Sequence, residues 1–263
     1  MSYQRLKFYV ENHIAHVVIN RPDKLNAIDM QMFDEIDHVS KHLRSRSDLR
    51  VAIVSGEGAD FCTGIDVKSV LASQKKAMSL LWKWWPGSSN KAQRVSTNWR
   101  KVPFPVIMAI HGRCWGGGLQ IALGGDFRIA TPDASFAIME NKWGLIPDMG
   151  GSLALREQLP TDKSMLWAMT AEEISAQDAL STNLITEVAD EPLEAAKLMA
   201  EKLMNRSPDS IAAIKKLYRQ FPNRSDAGLL ARESGYQIKV IVGENVKIAR
   251  KRETQDPTIP YKL

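Results

Sequence analysis

The stretch HGRCWGGGLQIALGGD, residues 111–126, decides the fold and holds the first indication of function. It joins the apolar run PVIMAI to a segment with helical hydrophobic spacing, and three consecutive glycines stand at the junction. Glycine at a strand-to-helix turn serves either unusual backbone angles or the close approach of another group. One glycine-rich turn is weak evidence of a binding site, so the purely structural explanation stays open at this point.

Hydrophobic periodicity outside this stretch predicts an α/β protein. A helix is predicted after Asp29, the candidate N-cap, and apolar residues recur at helical spacing as far as Leu43. Strand, glycine turn, helix and strand follow one another as in crossover α/β units. After about residue 160 the pattern predicts helices, including a long one from 226 to about 252, and one short strand. The predicted strands outside the opening stretch are LKFYV, AHVVIN, RVAIVSG, FRIATP and LITEV, the first two forming an antiparallel hairpin.

Composition indicates a globular protein. The chain has 263 residues, 44% of them hydrophobic and 25% charged, which is enough for one large or two small domains. Its apolar runs are far shorter than the roughly 20 residues of a membrane span. The first residues lack the apolar core of a signal peptide, and Cys62 and Cys114 do not make a disulfide framework. We therefore expect a soluble, cytoplasmic protein without a membrane partner.

The formal net charge of +5 is compatible with a polyanionic partner. Lysine and arginine are spread along the chain among acidic residues, so an acidic small ligand explains the charge as well as nucleic acid does. The interleaving of aromatic and basic residues that marks RNA-binding modules is lacking. Nucleic acid is therefore the less favoured partner.

A second glycine-containing turn strengthens the evidence that the first belongs to a binding site. SGEGADFCTGIDV, residues 55–67, ends another predicted strand, and Asp66 is a candidate N-cap for the segment after it. Two such turns after two strands can bring two free backbone N–H groups together. Paired N–H donors form an oxyanion hole, which stabilises the charge that develops on a carbonyl or thioester oxygen.

The sequence resembles the crotonase (enoyl-CoA hydratase/isomerase) superfamily over essentially its whole length. None of the matching segments is specific alone, but four of them in register at compatible spacings are highly so. The C-terminal ENVKIARKR is also similar to that family's ending. The four segments are INRPDKLNAI (19–28), GEGADFCTGIDV (56–67), FPVIMAIHGRCWGGGLQIALGGDFRIATPDASF (104–136) and ENKWGLIPDMGG (140–151).

The resemblance implies a fold and an assembly. It predicts a crotonase-like ββα spiral core over residues 1–190, holding the active site, and a helical C-terminal trimerisation region over residues 191–263. A homotrimer or hexamer is expected. The predicted ligand is an acyl-CoA, with coenzyme A entering as part of the substrate and with no metal or further cofactor.

The resemblance also implies positions for the binding residues. The thioester oxygen is expected at the backbone N–H groups of Ile65 and Gly117, and a side chain at Gly117 is expected to intrude on that oxygen. Lys68 and the basic run 247–252 are expected near the phosphates of coenzyme A. The predicted substrate-binding residues are Lys24, Leu25, Ala27, Thr63, Gly64, Asp66, Val67, Lys68, Trp115 and Gly116.

Catalysis is expected from carboxyl groups. Hydratases of the family use two glutamates, and this chain has the second as Glu140 but carries Gln120 at the position of the first. An amide neither takes nor gives a proton at ordinary pH. Isomerases of the family use a single glutamate at the position of Glu140, or that glutamate and an aspartate eight residues later, where Asp148 stands. A P-D-x-G stretch is also ordinary turn chemistry, so both interpretations of Asp148 stay open.

These residues predict an enzyme of the kind used in fatty acid metabolism. The favoured reaction is double-bond isomerisation of an enoyl- or dienoyl-CoA through an oxyanion-stabilised enolate, with Glu140, Asp148 and Gln120 at the catalytic centre. Hydration of an enoyl-CoA is the near alternative. Other hypotheses are RNA binding, thioester hydrolysis and coenzyme A binding without catalysis.

Overall fold

The computed structural model of the chain describes residues 3–70, 74–219 and 225–263. Its strands are β1 (Leu6–Glu11), β2 (Ile14–Ile19), β3 (Val51–Gly56), β4 (Val106–Ile110), β5 (Arg113–Trp115), β6 (Phe127–Ala130), β7 (Ser135–Ala137), β8 (Ile174–Ser175) and β9 (Glu187–Val188). Its helices are α1 (Met30–Arg44), α2 (Val67–Val70), α3 (Gln74–Leu81), α4 (Lys91–Thr97), α5 (Gly117–Ala122), α6 (Ser152–Gln158), α7 (Thr161–Thr170), α8 (Ala176–Ser181), α9 (Pro192–Met204), α10 (Pro208–Tyr218), α11 (Asp226–Val242) and α12 (Glu244–Thr254).

Two sheets organise the core. The larger has the strand order β1-β2-β3-β4-β6-β9, and the smaller has the order β5-β7-β8. β1 and β2 form the predicted antiparallel hairpin, with Leu6 opposite Ile19, whereas the later neighbours in the larger sheet are parallel. Parallel pairs need crossover connections, which the helices supply. The predicted mixed α/β fold with a helical C-terminal region is confirmed.

Local sequence explains the first crossover helix. Asp29 is the N-cap of α1, and its side chain accepts a hydrogen bond from the backbone N of Met32 at 2.9 Å. This contact satisfies one of the N–H groups that a helix start leaves without a partner. Phe33 and Leu43 are fully buried on the face of α1 that packs against the sheet.

Alternate residues of β3 enter two different hydrophobic clusters. Ala52 and Val54 pack on the side that holds α1, while Ile53 packs on the side that holds Ala196 and Ala200 of α9. This alternation follows from the two-residue period of a strand. The larger sheet is therefore covered on both faces, which places its functional groups at the ends of its strands.

Two elements differ in extent from their predictions. Only Glu187–Val188 of LITEV forms a strand, because the backbone N of Ile185 donates to Ala179 O at 3.1 Å and closes the end of α8 instead. The predicted long C-terminal helix is interrupted at Gly243, whose backbone is extended (φ −73°, ψ 161°). The chain thus forms α11 and α12 where one helix was predicted.

Apolar side chains lie exposed on α11. Leu230, Ile238 and Val242 are 61%, 63% and 76% exposed, and α11 contains no buried residue. The formation of a trimer or hexamer through this region stays a prediction. Among the described residues, no helix combines the length and the apolar composition needed to cross a membrane.

Candidate active site

The two glycine-containing turns lie side by side. Cys62 and Cys114 form an isolated parallel bridge, in which Cys62 N donates to Arg113 O and Trp115 N donates to Cys62 O, both at 3.0 Å. A Cβ placed on Gly118 would lie 2.3 Å from Cys62 O. The third glycine of the triplet is therefore required by the close approach of the neighbouring backbone.

The other glycines of these turns have different roles. Gly64 and Gly116 adopt positive φ angles of 98° and 49°, which favour glycine because side chains crowd this region. Gly117 does not have a positive φ, and a Cβ there would lie 2.9 Å from Met149 Sδ and 3.0 Å from Ile28 Cδ1. A side chain at Gly117 would therefore crowd two core side chains, and the expectation that it would also intrude on the thioester oxygen stays a prediction.

Two backbone donors flank this junction. Within the described residues, the N–H groups of Ile65 and Gly117 have no hydrogen-bond acceptor. Gly64 lies against the glycine triplet, because a Cβ on it would be 3.4 Å from the nitrogen of Gly117. Both Ile65 and Gly117 border the same cavity. Two free donors at one cavity are able to bind a single oxygen atom that carries negative charge.

A cavity of about 230 Å³ opens at the two turns. Its far wall is apolar and includes Val70, Leu80 and Ala92. No lysine or arginine is found among the described residues that line it. The predicted site residues that line the cavity are Thr63, Gly64, Ile65, Val67, Gly116, Gly117, Glu140 and Asp148.

Glu140 presents one bonded and one free oxygen. It lies in the 3-10 turn Met139–Trp143 and is 8% exposed. Its Oε1 accepts a hydrogen bond from Gln120 Nε2 at 2.6 Å, while its buried Oε2 has no partner among the described residues. Burial raises the pKa of Glu140, the hydrogen bond from Gln120 opposes this, and the charge of Asp148 adds to it. A buried carboxyl with a raised pKa and a free oxygen is suited to proton transfer.

Gln120 connects Glu140 to the following loop. It belongs to α5 and is 2% exposed, and its Oε1 accepts from the backbone N of Met149 at 2.8 Å and of Gly151 at 3.1 Å. Two N–H donors identify this atom as the amide oxygen, so Nε2 must face Glu140. Gln120 lies behind Glu140 and does not line the cavity. Its position suits it to orient the carboxyl rather than the substrate.

Asp148 shares the cavity with Glu140. It is partly exposed, and burial raises its pKa while a hydrogen bond from its own backbone N–H to its carboxylate lowers it. The next residue, Met149, is the one whose N–H is held by Gln120. Asp148 is therefore both part of a turn and a cavity residue, and the two interpretations of it are compatible.

The predicted coenzyme A segment borders the Gly64 turn. Leu25 O accepts from both the backbone N and the Oγ1 of Thr63, at 3.2 and 3.1 Å, and Ile28 N donates to Gly64 O at 2.8 Å. Lys24 and Leu25 are exposed beside it. Lys68, in the first turn of α2, is also exposed. Lys24, Leu25 and Lys68 lie outside the cavity wall, and their role in binding stays a prediction.

Three predicted residues have side chains or backbone groups occupied within the protein. Asp66 Oδ2 accepts from Arg21 Nη1 at 2.9 Å, and its Oδ1 accepts from Ser69 N at 3.1 Å, as expected of a residue at a helix start. The oxygen of Ala27 also accepts from Arg21 Nη1, at 2.9 Å. Trp115 Nε1 donates to Ser135 Oγ at 2.8 Å. These contacts support the turns that carry the site.

Several cavity residues were missed by the sequence analysis. For Leu80, Leu81 and Ala92 a signal was present, because the apolar spacing after residue 70 marks one face of α3 and α4. That spacing does not state which apolar residues face a cavity and which face the core. The missed residues are Val70, Leu80, Leu81, Ala92, Met139, Trp143 and Leu145.

Comparisons with known proteins identify the family of the chain. The family model described as enoyl-CoA hydratase/isomerase matches residues 9–258. An (E)-benzylidenesuccinyl-CoA hydratase of Thauera aromatica is 34% identical over 211 residues, covering 79% of this chain and 79% of the relative. A carnitinyl-CoA dehydratase of Proteus mirabilis (strain HI4320) is 32% identical over 238 residues, covering 89% of this chain and 85% of the relative.

Solved structures show the same fold. An enoyl-CoA hydratase from Polaromonas sp. JS666 superposes with a TM-score of 0.87 at 26% identity, covering 98% of this chain and 99% of that one. An enoyl-CoA hydratase from Bacillus anthracis gives a TM-score of 0.89 at 24% identity, with 98% and 99% coverage.

Proposed function

The chain belongs to the enoyl-CoA hydratase/isomerase family of the crotonase superfamily, and from this premise we propose that it shifts a double bond in an enoyl- or dienoyl-CoA thioester. One observation carries the choice of reaction. Among the described residues that line the cavity, Glu140 and Asp148 carry the carboxyl groups, while the position that supplies a second glutamate in family hydratases holds the amide of Gln120.

The thioester oxygen binds at the N–H groups of Ile65 and Gly117. When a proton leaves the carbon chain, the electron pair of the broken C–H bond delocalises onto this oxygen as an enolate. Each aligned donor stabilises that charge, and the loss of one such donor typically costs on the order of a hundredfold to a thousandfold in rate. The reaction proceeds by proton transfers alone and requires no metal or redox cofactor.

Glu140 removes the proton and Asp148 returns one. Gln120 occupies Glu140 Oε1, so the free Oε2 accepts the proton. Asp148, in its protonated form, delivers a proton to a carbon further along the chain, and a new C–H bond forms there as the double bond moves. One proton leaves and one arrives, so that the product is an isomer of the substrate, and proton exchange with solvent then returns Glu140 to its ionised form and Asp148 to its protonated form. The raised pKa of both groups means that each holds a proton more readily than an ordinary carboxyl does.

The acyl group of the substrate is apolar and uncharged. The walls beyond the two turns are formed by aliphatic side chains such as Val67, Leu80 and Leu81. If the acyl group carried a free carboxylate in addition to the thioester, that charge would lie there without a counter-ion and beside the carboxyl groups of Glu140 and Asp148. Burying an unpaired charge in this way is costly. A hydrocarbon enoyl chain fits this lining better.

Hydration or dehydration is the second candidate, because the relatives from Thauera and Proteus are named a hydratase and a dehydratase. Glu140 would then activate water in hydration, with Asp148 as the other acid–base group. This assignment uses the same cavity and the same backbone donors. It differs from isomerisation in whether water is added across the double bond.

A substrate panel tests the proposal. Purified protein is incubated with 2-enoyl-, 3-enoyl- and 3,5-dienoyl-CoA thioesters, and products are identified by mass and absorbance. Isomerisation leaves the mass unchanged and shifts the absorbance, whereas hydration adds the mass of water. Hydration as the dominant reaction would replace the first candidate by the second. Lack of turnover, together with no thermal stabilisation by any acyl-CoA, would exclude both.

A further inference from the structure

A cleft of about 610 Å³ lies where the C-terminal end of α1, residues 100–103 and α10 meet. Residues 100–103 lead into the amino end of β4, whereas Gly117 follows its carboxyl end. The cleft thus lies at the amino end of β4, whereas the candidate active site lies at its carboxyl end. Six of its lining residues are cationic and none of the described ones is acidic. This basic cleft carries the charges of Lys41, Arg44, Arg100, Lys101, Lys215 and Lys216.

Three of these cations lack a counter-ion. Arg44, Lys101 and Lys216 are exposed and form no ion pair with any described residue. The C-terminal ends of α1 and α10 each contribute roughly half a negative charge, which leaves a net positive charge of about two. The other three cations are paired within the protein: Lys41 with Asp37, Arg100 with Glu157 and Lys215 with Asp126.

The surroundings of Lys101 show that this positive charge is concentrated. Burial lowers the pKa of Lys101, and the charges of Arg44, Arg94 and Lys41 lower it further, although Asp37 opposes them.

We propose that the basic cleft binds a small anion that carries several phosphate groups. Its volume falls within the range of small-molecule sites. Its other lining residues include Val102, Pro103 and Ala212, and no described lining residue is aromatic, so a stacking platform for RNA bases is missing. The phosphates of coenzyme A and those of a free nucleoside triphosphate offer the same chemistry. This site does not depend on the proposed reaction.

Calorimetric titration tests the site at low ionic strength, where exposed charges are least screened. The probes are inorganic tripolyphosphate, adenosine triphosphate, coenzyme A and a single-stranded RNA of about 20 nucleotides. Lys101→Glu and Arg44→Glu each replace an attraction by a repulsion and should weaken tripolyphosphate binding about tenfold or more. Lys202→Glu is the matched control. Lys202 is exposed on α9 and does not line the cleft, so its substitution changes the net charge by the same amount at another place. It should leave binding within about twofold.

Competition between the probes shows whether the phosphates belong to coenzyme A or to a nucleoside triphosphate. If coenzyme A displaces tripolyphosphate and loses affinity in Lys101→Glu, the cleft takes the phosphates of a coenzyme A. If only the nucleoside triphosphate does so, the site is separate from substrate binding. The absence of binding by tripolyphosphate, or equal weakening in Lys202→Glu, would overturn the proposal. RNA binding that tripolyphosphate cannot displace would also overturn it, since the ligand would then be a nucleic acid.

Discussion

Gln120 Nε2 lies 2.6 Å from Glu140 Oε1, and this contact makes the two oxygens of a buried carboxyl unequal. Oε1 accepts the amide hydrogen, while Oε2 has no partner among the described residues. The amide itself is held by the N–H groups of Met149 and Gly151, so it cannot rotate without losing two hydrogen bonds. The residue at position 120 therefore determines which oxygen of Glu140 is available for chemistry.

Gln120→Met should move the pH dependence of the reaction. Methionine keeps the approximate shape but removes the hydrogen bond that lowers the pKa of Glu140, so that pKa rises. The acidic limb of the kcat profile should shift to higher pH, and kcat should fall because Glu140 is less well oriented. The freed N–H groups of Met149 and Gly151 should also reduce the free energy of unfolding by about 1–3 kcal/mol.

The control for this prediction is Gln31→Met. Gln31 is exposed on α1, donates to Glu35 at 2.8 Å and does not line the cavity. Its pH profile should match that of the unmodified enzyme. An unchanged profile in Gln120→Met, with a measurable loss of stability, would show that the amide supports the loop but does not tune Glu140.

Glu140→Gln and Asp148→Asn should separate the two proton transfers. The first removes the base and should abolish both turnover and exchange of substrate hydrogen with deuterated water. The second leaves the base in place, so exchange should continue while formation of the shifted product falls by about a hundredfold or more. Exchange is followed by mass spectrometry of the recovered substrate. Full product formation in Asp148→Asn would restrict Asp148 to a role in the turn.

The features that could be predicted from the sequence are those with a local cause. The cap at Asp29 and the glycine at Gly64 depend on neighbouring residues and on backbone angles, so a short stretch was enough to identify them. The partner of Gln120 could not be predicted in the same way. It depends on the arrival of Met149 and Gly151 beside α5, which only the three-dimensional packing determines. The direction of the missing Cβ at Gly117 has the same kind of cause.

The glycine triplet gives a graded stability prediction. In Gly118→Ala the new Cβ would lie 2.3 Å from Cys62 O, and a backbone atom cannot move away without separating the two turns. We expect a loss of about 3 kcal/mol or more in the free energy of unfolding, together with loss of activity. Gly117→Ala meets only the ends of the Met149 and Ile28 side chains, so about 1 kcal/mol is expected.

Gly235→Ala is the control for the triplet. Gly235 lies inside α11, and a Cβ there would meet nothing within 4 Å. Alanine is the better helix former, so this variant should gain about 0.5–1 kcal/mol. Urea unfolding of the three variants gives the comparison. Equal stability of Gly117→Ala and Gly118→Ala would contradict the close approach of the two turns.

The raised pKa of Glu140 predicts that the active site reduces stability at neutral pH. Because the folded protein holds this proton more tightly than the unfolded chain does, the corresponding stability is fully present below the ordinary pKa of 4.5. It is lost as the pH rises through the raised value. Glu140→Gln should therefore melt at a higher temperature than the unmodified protein near neutral pH, and the difference should vanish towards about pH 4.

Glu244→Gln is a comparison variant in which the melting temperature near neutral pH should change in the opposite direction. Glu244 is exposed beside Lys262, which lowers its pKa, so its contribution is present at neutral pH and is lost on acidification. Its removal should slightly lower the melting temperature near neutral pH. A melting temperature of Glu140→Gln below that of the unmodified protein at every pH would mean that ionised Glu140 is stabilised by its surroundings.

Gln120→Glu should give the enzyme hydratase activity. The two N–H groups that hold Gln120 Oε1 would hold one oxygen of the new carboxylate equally well, and its other oxygen would take the place of Nε2 beside Glu140. Two carboxyls at about this distance cannot both ionise, so they share a proton and one pKa rises. Glu140, which lines the cavity, then acts on water, and the carboxyl at position 120, which lies behind it, exchanges the second proton through Glu140. The measurement is the ratio of hydroxyacyl-CoA to shifted enoyl-CoA in the variant and in the unmodified enzyme. A variant that folds and binds acyl-CoA but shows an unchanged ratio would contradict the view that the residue at position 120 selects between the two reactions.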